Sequence, residues 1–377
     1  MKTNKSLYLV VAMVLLLSVV PMVLAASVGS GVTPVVNTEE FKPRVWMCDH
    51  RVVVDDNTEP GRVDGRKVYY DNGDLKGYEL IERINNYAFE GEKIEWLVLV
   101  MDKNKIDQTI DVYATIGDTQ GAGNDIEVNC QRVDYQEGAF ESCNARIDEE
   151  HLKFNPDTMA FFECTFTVET PESMYGEYWI TVEAKDGQGN MGTMDENEYW
   201  FLNPTIALTI DGSLQFDNVR PGTDAYSKTL LVGNDADAGS GVLMDMFISG
   251  TDFYDSSSSG ARCPNTNQLL LSNFRYFVTN GAYNSAQDAG TNSHGPIARN
   301  TDAEGYTNID YGIGFNNPNP FYDDMEILQA PAKVGGYWPA NILAPGAEMA
   351  LTFKLSMPEP CQGNFDTGSI YFWGEGI

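Results

Sequence analysis

No stretch of this 377-residue chain keeps an apolar period of 3.6 for more than about three turns. Short β-branched and aromatic runs recur instead, at residues 98–101, 110–116, 161–168 and 178–183, separated by Asp, Asn and Gly clusters. Between residues 349 and 357 the alternation is strict. Met349, Leu351, Phe353, Leu355 and Met357 share one face, and Ala350, Thr352, Lys354 and Ser356 the other. The best short helical candidate is residues 80–84. With 35 glycines, this pattern predicts an all-β protein built as β-sandwiches rather than an α/β fold.

A boundary is expected near Asn203-Pro204. Tyr199 to Leu202 read as a closing strand, and Ile206 to Ile210 open a new one. Proline disfavours helix in the residue before it, which suits a joint between sheets. Downstream, Pro221-Gly222 precedes a strand expected over residues 226–232, and Pro345-Gly346 precedes the alternating strand. Pro-Gly supplies the two central positions of a type II turn. The organisation expected is a leader at 1–25, an arm at 26–40, a first sandwich domain at 41–203 and a second at 204–377.

The leader is read from its layout. Lys2 and Lys5 precede an apolar run over 7–20, Pro21 breaks it, and Val23 and Ala25 stand at the −3 and −1 positions of a cut before Ala26. The competing reading is a retained anchor, but the run is shorter than the roughly 20 residues a spanning helix needs. The expectation is a secreted, extracellular, cell-surface-associated protein with no membrane span after cleavage. The arm at 26–38 (ASVGSGVTPVVNT) is small and uncharged.

Charge narrows the partners. The chain has 24 Lys and Arg against 55 Asp and Glu, a net of −31 that becomes −33 without Lys2 and Lys5. Such a field repels nucleic acid and anionic membrane. Beyond the leader there is no Asn-x-Ser/Thr sequon; Asn4-Lys5-Ser6 lies within it.

The six cysteines read as disulfides in a secreted chain, and none forms a C-x-x-C pair. Cys263 and Cys361 are the two beyond residue 204, so they are expected to pair. Cys48, Cys130, Cys143 and Cys164 allow three connectivities, which sequence leaves open.

Residues 174–192, with Ala184, Asp186, Gly189 and Asn190 in an Ala-x-Asp-x-x-Gly-Asn turn, resemble the last strands of bacterial and archaeal immunoglobulin-like domains. Phe89-Glu90-Gly91-Glu92 with residues 94–102 looks like an early strand of the same family. This resemblance spans roughly residues 80–203 and implies an Ig-like sandwich without catalytic residues. The second half, through its Pro-Gly turns and Gly368-Ser369-Ile370, is loosely similar to camelysin/TasA-like and WxL-like surface sandwich modules, implying a jelly-roll or Ig-like sandwich. The whole looks like a family of secreted proteins of small-genome archaea, a resemblance that brings no activity with it.

Candidate chemistry is sparse. His50, His151 and His294 lack any ligand spacing such as H-E-x-x-H, and no G-x-S-x-G elbow surrounds Ser256 to Ser259 or Ser293. No catalytic residue is assigned. Calcium, which takes six to eight oxygens, is the ligand that Asp102, Asp186, Asn190, Asn234, Asp235 and Asp237 suit. The alternative for each is an Asx turn that satisfies its own backbone. Trp200, Trp338 and Trp373, with Tyr337 and Tyr371, read either as sandwich core or as a sugar-stacking platform.

These readings lead to a non-enzymatic structural or adhesive surface protein that self-associates as a layer or filament subunit, or binds other surface proteins. An extracellular carbohydrate- or cell-binding module using residues 256–301 is the rival, and a secreted hydrolase the third class. For the first, the arm with Val28, Val32, Val35 and Val36 would add as a strand to a neighbour's sheet edge.

Overall fold

The computed structural model describes residues 33–54, 64–69, 75–83, 85–106, 110–134, 139–144, 153–194, 198–257, 263–264, 268–287, 301–311, 326–332, 334 and 337–377. The leader, residues 26–32 of the arm, His151, Ser258, Ser259, Ser293 and His294 lie outside them. Residues 33–40 carry no regular structure and are exposed, Val35 and Val36 at 88% and 77%. Phe41–Ile377 form one compact unit, and it is all-β.

Its first eleven strands are β1 (Arg44–Val54), β2 (Asp64–Tyr69), β3 (Leu75–Arg83), β4 (Tyr87–Ala88), β5 (Lys93–Met101), β6 (Asp111–Gly117), β7 (Ile126–Val133), β8 (Met159–Thr167), β9 (Gly176–Lys185), β10 (Met191–Thr193) and β11 (Glu198–Leu202). They follow the order β2-β3-β1-β5-β8-β7-β6-β9-β11-β4, with β10 against β9. β7 turns the corner: Ile126 to Asn129 face β6, and Cys130 to Val133 face β8. The sheet thus folds over its own core of Val112, Ala114, Ile180, Val182, Trp200 and Leu202.

β5 is buried along almost its whole length because it serves two cores. Ile94, Trp96, Val98 and Val100 face the sandwich interior, while Leu97, Leu99 and Met101 face a second cluster on the other side. The short helix α1 (Ala139–Asn144) covers that cluster with Phe140, and the Cys48–Cys143 disulfide ties it to β1. A second bridge joins Cys130 to Cys164, directly opposite each other on β7 and β8 and beside Trp96. Removing the freedom of the 95-residue loop between Cys48 and Cys143 contributes on the order of 4 kcal/mol.

The remaining strands are β12 (Leu208–Asp211), β13 (Asp224–Tyr226), β14 (Leu230–Asn234), β15 (Met244–Gly250), β16 (Phe253–Asp255), β17 (Gln268–Leu269), β18 (Phe274–Asn280), β19 (Tyr283–Asn284), β20 (Thr307–Asn308), β21 (Asp310–Tyr311), β22 (Ile342–Leu343), β23 (Glu348–Ser356), β24 (Phe365–Thr367) and β25 (Ile370–Gly376). One layer runs β12-β14-β23-β18-β19; β15 and β16 carry the other, paired with β25 and β24. Met349, Leu351, Phe353 and Leu355 of β23 meet Met244, Met246 and Ile248 of β15 between them, as the alternation requires. The Cys263–Cys361 disulfide borders this core. No ladder among the described residues joins β1–β11 to β12–β25.

Both Pro-Gly turns are type II, with Gly222 and Gly346 at φ +75° and +77°. Three expectations are corrected. The helix expected at residues 80–84 does not form over 80–83, the described part: these close β3, whose pairing with β1 and β2 overrides a short apolar period. Residues 226–232 are two strands, because Ser227 interrupts the pairing with β23 and its Oγ accepts the Phe353 N–H at 2.9 Å. Finally, residues 256–301, given to the rival binding module, are not all surface, since β18 lies inside and carries Phe274, Tyr276 and Val278 into the core.

Candidate functional site

Two sheet edges lie side by side in the second half. β12 pairs only with β14, and β25 only with β15, among the described residues. They are close: an added Cβ on Gly374 would stand 3.4 Å from Leu208 Cδ1, and one on Gly376 would stand 3.3 Å from Ile206 Cδ1. Leu208, Ile370 and Phe372 pack only partly against the core. Ile210, two positions beyond Leu208 and so on its face, is 51% exposed, and Ile206 41%. The sandwich is therefore open along this side. On the outer face of β25, Tyr371 and Trp373 are 43% and 39% exposed, their rings 6.2 Å apart, and the Trp373 indole donates to Ser249 Oγ at 3.2 Å.

The sequence-derived metal candidates are spread over the molecule and occupied by local bonds. Asp102 Oδ1 accepts the Asn104 N–H. Asp186, in the turn from β9 to β10, accepts N–H groups of Gln188 and Asn190 and the Asn190 side-chain amide at 2.8–2.9 Å. Burial opposes its charge, yet these bonds outweigh it and hold the carboxyl below the usual range. Asp102 and Asp186 are therefore Asx turns. Among the described residues no group of three or more His, Cys, Asp or Glu is placed to hold a metal ion.

Asn234, Asp235 and Asp237 do something the sequence did not suggest: the first two fix a loop of the second half that packs on the first, and Asp237 bonds across to it. Asn234 is buried and donates to the Val242 and Leu343 carbonyls while accepting the Ala236 N–H. That shapes the loop so that Ala236 and Val242 pack on Tyr87 and Phe201. Asp235 donates its N–H to the Ala207 carbonyl. Asp237 Oδ2 accepts the Thr205 N–H at 2.7 Å and the Tyr175 hydroxyl at 3.0 Å. The Thr205 bond is the main reason its carboxyl lies below the usual range. The Tyr199 hydroxyl and the Gly239 carbonyl add a further link, and the Tyr87 hydroxyl and Asn85 amide hold the Ile377 main-chain oxygen.

The densest charge cluster surrounds Lys354 on β23. Its Nζ lies 3.0 Å from Glu304 Oε2, 3.0 Å from Asp302 Oδ2 and 3.4 Å from Asp224 Oδ2. It also sits 5.9 and 5.8 Å from the Tyr226 and Tyr306 ring centroids. Glu304 first and Asp302 next raise its pKa. A fully charged amine in this setting is a structural cation rather than a nucleophile. His50 Nε2 lies 3.3 Å from Glu95 Oε1, and Lys93 shares that carboxylate. Of the aromatics named from sequence, Trp200 and Trp338 are core, each 1% exposed; Tyr371 and Trp373 are not.

No family model matches the chain, and no curated protein matches it. Among solved structures it is similar to the C-terminal domain of the Streptococcus agalactiae AgI/II polypeptide BspA, at 12% identity over 82% of this chain and 95% of that one, with a TM-score of 0.27. It is also similar to a chain of a CFA/I fimbrial chaperone–tip adhesin complex, at 10% identity over 89% and 92%, TM-score 0.22. A secreted protein of Eubacterium rectale matches at 8% identity over 91% and 95%, TM-score 0.20. At these TM-scores the likenesses carry no argument about this chain. No helix among the described residues is long and apolar enough to cross a membrane.

Proposed function

We propose that this is a secreted, non-enzymatic structural or adhesive protein of the cell surface, with two sandwich domains (41–203 and 204–377) behind a cleaved leader and an arm. The observation that carries the reading is the open side between β12 and β25. Two strand edges stand next to each other there, with Ile206 and Ile210 exposed beside Leu208, Ile370 and Phe372. Unpaired edges with apolar side chains are templates for an added strand. Three disulfides that use all six cysteines support an oxidising, extracellular setting.

The strand this side would accept is the arm of a neighbouring copy. Val28, Val32, Pro34 and Val36 share alternate positions with Ser30 on an uncharged segment, so one face is mostly apolar and carries no charged side chain into the open side. Copies that carry a net charge of −33 without Lys2 and Lys5 repel one another at long range, and an uncharged arm is the part that can approach. Deleting residues 26–38 tests this: electron microscopy and sedimentation of the deleted protein should show monomers where the parent assembles. Assembly that survives the deletion rules the arm out. Ile210→Lys, which charges the acceptor side, should block assembly of a copy whose arm is intact.

A further inference from the structure

We propose that the depression at the β6–β7 turn is a binding site for a neutral pyranose sugar, distinct from the assembly edges. It has a volume of about 450 Å³ and is lined by Ile116, Ile126 and Tyr178 on its apolar side and by Asp118, Thr119 and Asp125 on its polar side. That volume lies within the roughly 300–1,000 Å³ of small-molecule sites.

The site is built in advance. Asn124 reaches back across the turn and donates to the Thr119 and Gly121 carbonyls at 2.7 and 3.3 Å. It packs so closely over Gly117 that an added Cβ there would stand 2.5 Å from Asn124 Oδ1. The loop is thus braced, with Asp118 and Asp125 exposed and Asp118 Oδ1 taking the Thr119 hydroxyl at 3.1 Å. Tyr178 rises from β9, packs its ring against the sandwich core, and makes no hydrogen bond to a described residue through its hydroxyl.

Chemistry selects the ligand. Carboxylates offer only acceptors, so the partner must bring several donors, as the hydroxyls of a sugar do. Half-buried Ile126 and the Tyr178 ring, over the buried Ile116, offer a surface for a sugar's C–H face. Burial first, then the Asp118 and Glu169 charges, raises the Tyr178 pKa, so the hydroxyl stays a donor, and the same field rejects uronates, sialosides and phosphates. Two carboxylates alone fall short of the six to eight oxygens calcium takes.

The test uses the full chain and the methyl glycosides of glucose, galactose, mannose and N-acetylglucosamine in saturation-transfer NMR. At least one should receive saturation from Tyr178, and Asp118→Asn and Tyr178→Phe should each weaken it about tenfold. Asp118 is exposed, so an unchanged amide spectrum is expected for its variant. The proposal is overturned if none of the four binds, or if binding is unchanged in both variants. Calcium alone, titrated by calorimetry, gives the remaining outcome: heat that Asp118→Asn abolishes, without sugar binding, would make this a cation site. Because the depression is on β6, β7 and β9, deleting the arm leaves its result unchanged.

Discussion

The Tyr175 hydroxyl donates a 3.0 Å hydrogen bond to the carboxylate of Asp237, 62 positions along the chain, and the same oxygen takes the Thr205 main-chain N–H. One carboxylate thus anchors the loop of the second half to both the first half and the connection between them. Asp237→Ala leaves the Thr205 N–H without its acceptor. It should destabilise the protein by about 1 kcal/mol, read as a lower urea midpoint, with Tyr175→Phe losing less. An unchanged midpoint for Asp237→Ala would mean that the clamp is ornamental.

Acid should weaken the fold in a defined window. Hydrogen bonds hold the carboxyl pKa values of Asp237, Asp186 and Asp302 below the ordinary 3.8 of an aspartate when folded. Their contribution is complete well above 3.8, where both folded and unfolded forms are ionised. It declines as pH falls through 3.8 and below, because the unfolded chain takes up protons first. Thermal melts between pH 6 and pH 2 should show this decline, and Asp186→Asn should shrink it.

Three carboxylates share the single charge of Lys354, so its loss should be felt as repulsion. Lys354→Met keeps the stem between Tyr226 and Tyr306 but leaves Asp224, Asp302 and Glu304 without their cation. The melting temperature should drop by roughly 5 °C, and added salt should restore part of it by screening those charges. A salt-independent loss would point to packing instead.

Two glycines should respond differently to alanine. Gly346 has open space around its Cβ position but φ +77°, so Gly346→Ala costs about 1 kcal/mol of backbone strain. At Gly192 the φ is unremarkable for its strand, but a Cβ would overlap the Pro43 carbonyl oxygen. Gly192→Ala should therefore cost more, with exchange protection lost locally on β10. Equal urea midpoints for the two variants would refute the steric account.

Much of the fold is readable in the chain, and the reasons are local. The alternation over β23 depends on one face touching the core and the other not, so it survives in sequence. The Pro-Gly turns are legible because only glycine tolerates their third position. β5 is harder, since an unbroken apolar run fits any element buried on both sides. The pairing of Cys48 with Cys143 depends on where α1 lands, which no spacing encodes. The roles of Asn234 and Asp237 are equally hidden: an Asn-Asp-Ala-Asp string looks the same whether its oxygens face a cation or the N–H groups of Ala236 and Thr205. The depression beside Tyr178 was missed for the same reason. Its lining comes from residues 116–126 and 178, which only the β6–β9 ladder brings together.

Asn234 also leaves the joint little chemical latitude. Its amide nitrogen points at two carbonyls in the interior, and an aspartate in its place would set a bare oxygen against both. Exchanging one NH2 group for one oxygen would turn two attractions into two repulsions at constant side-chain size. Asn234→Asp should therefore unfold at lower urea than the parent. The loop that packs Ala236 and Val242 on Tyr87 and Phe201 would be the first part to loosen.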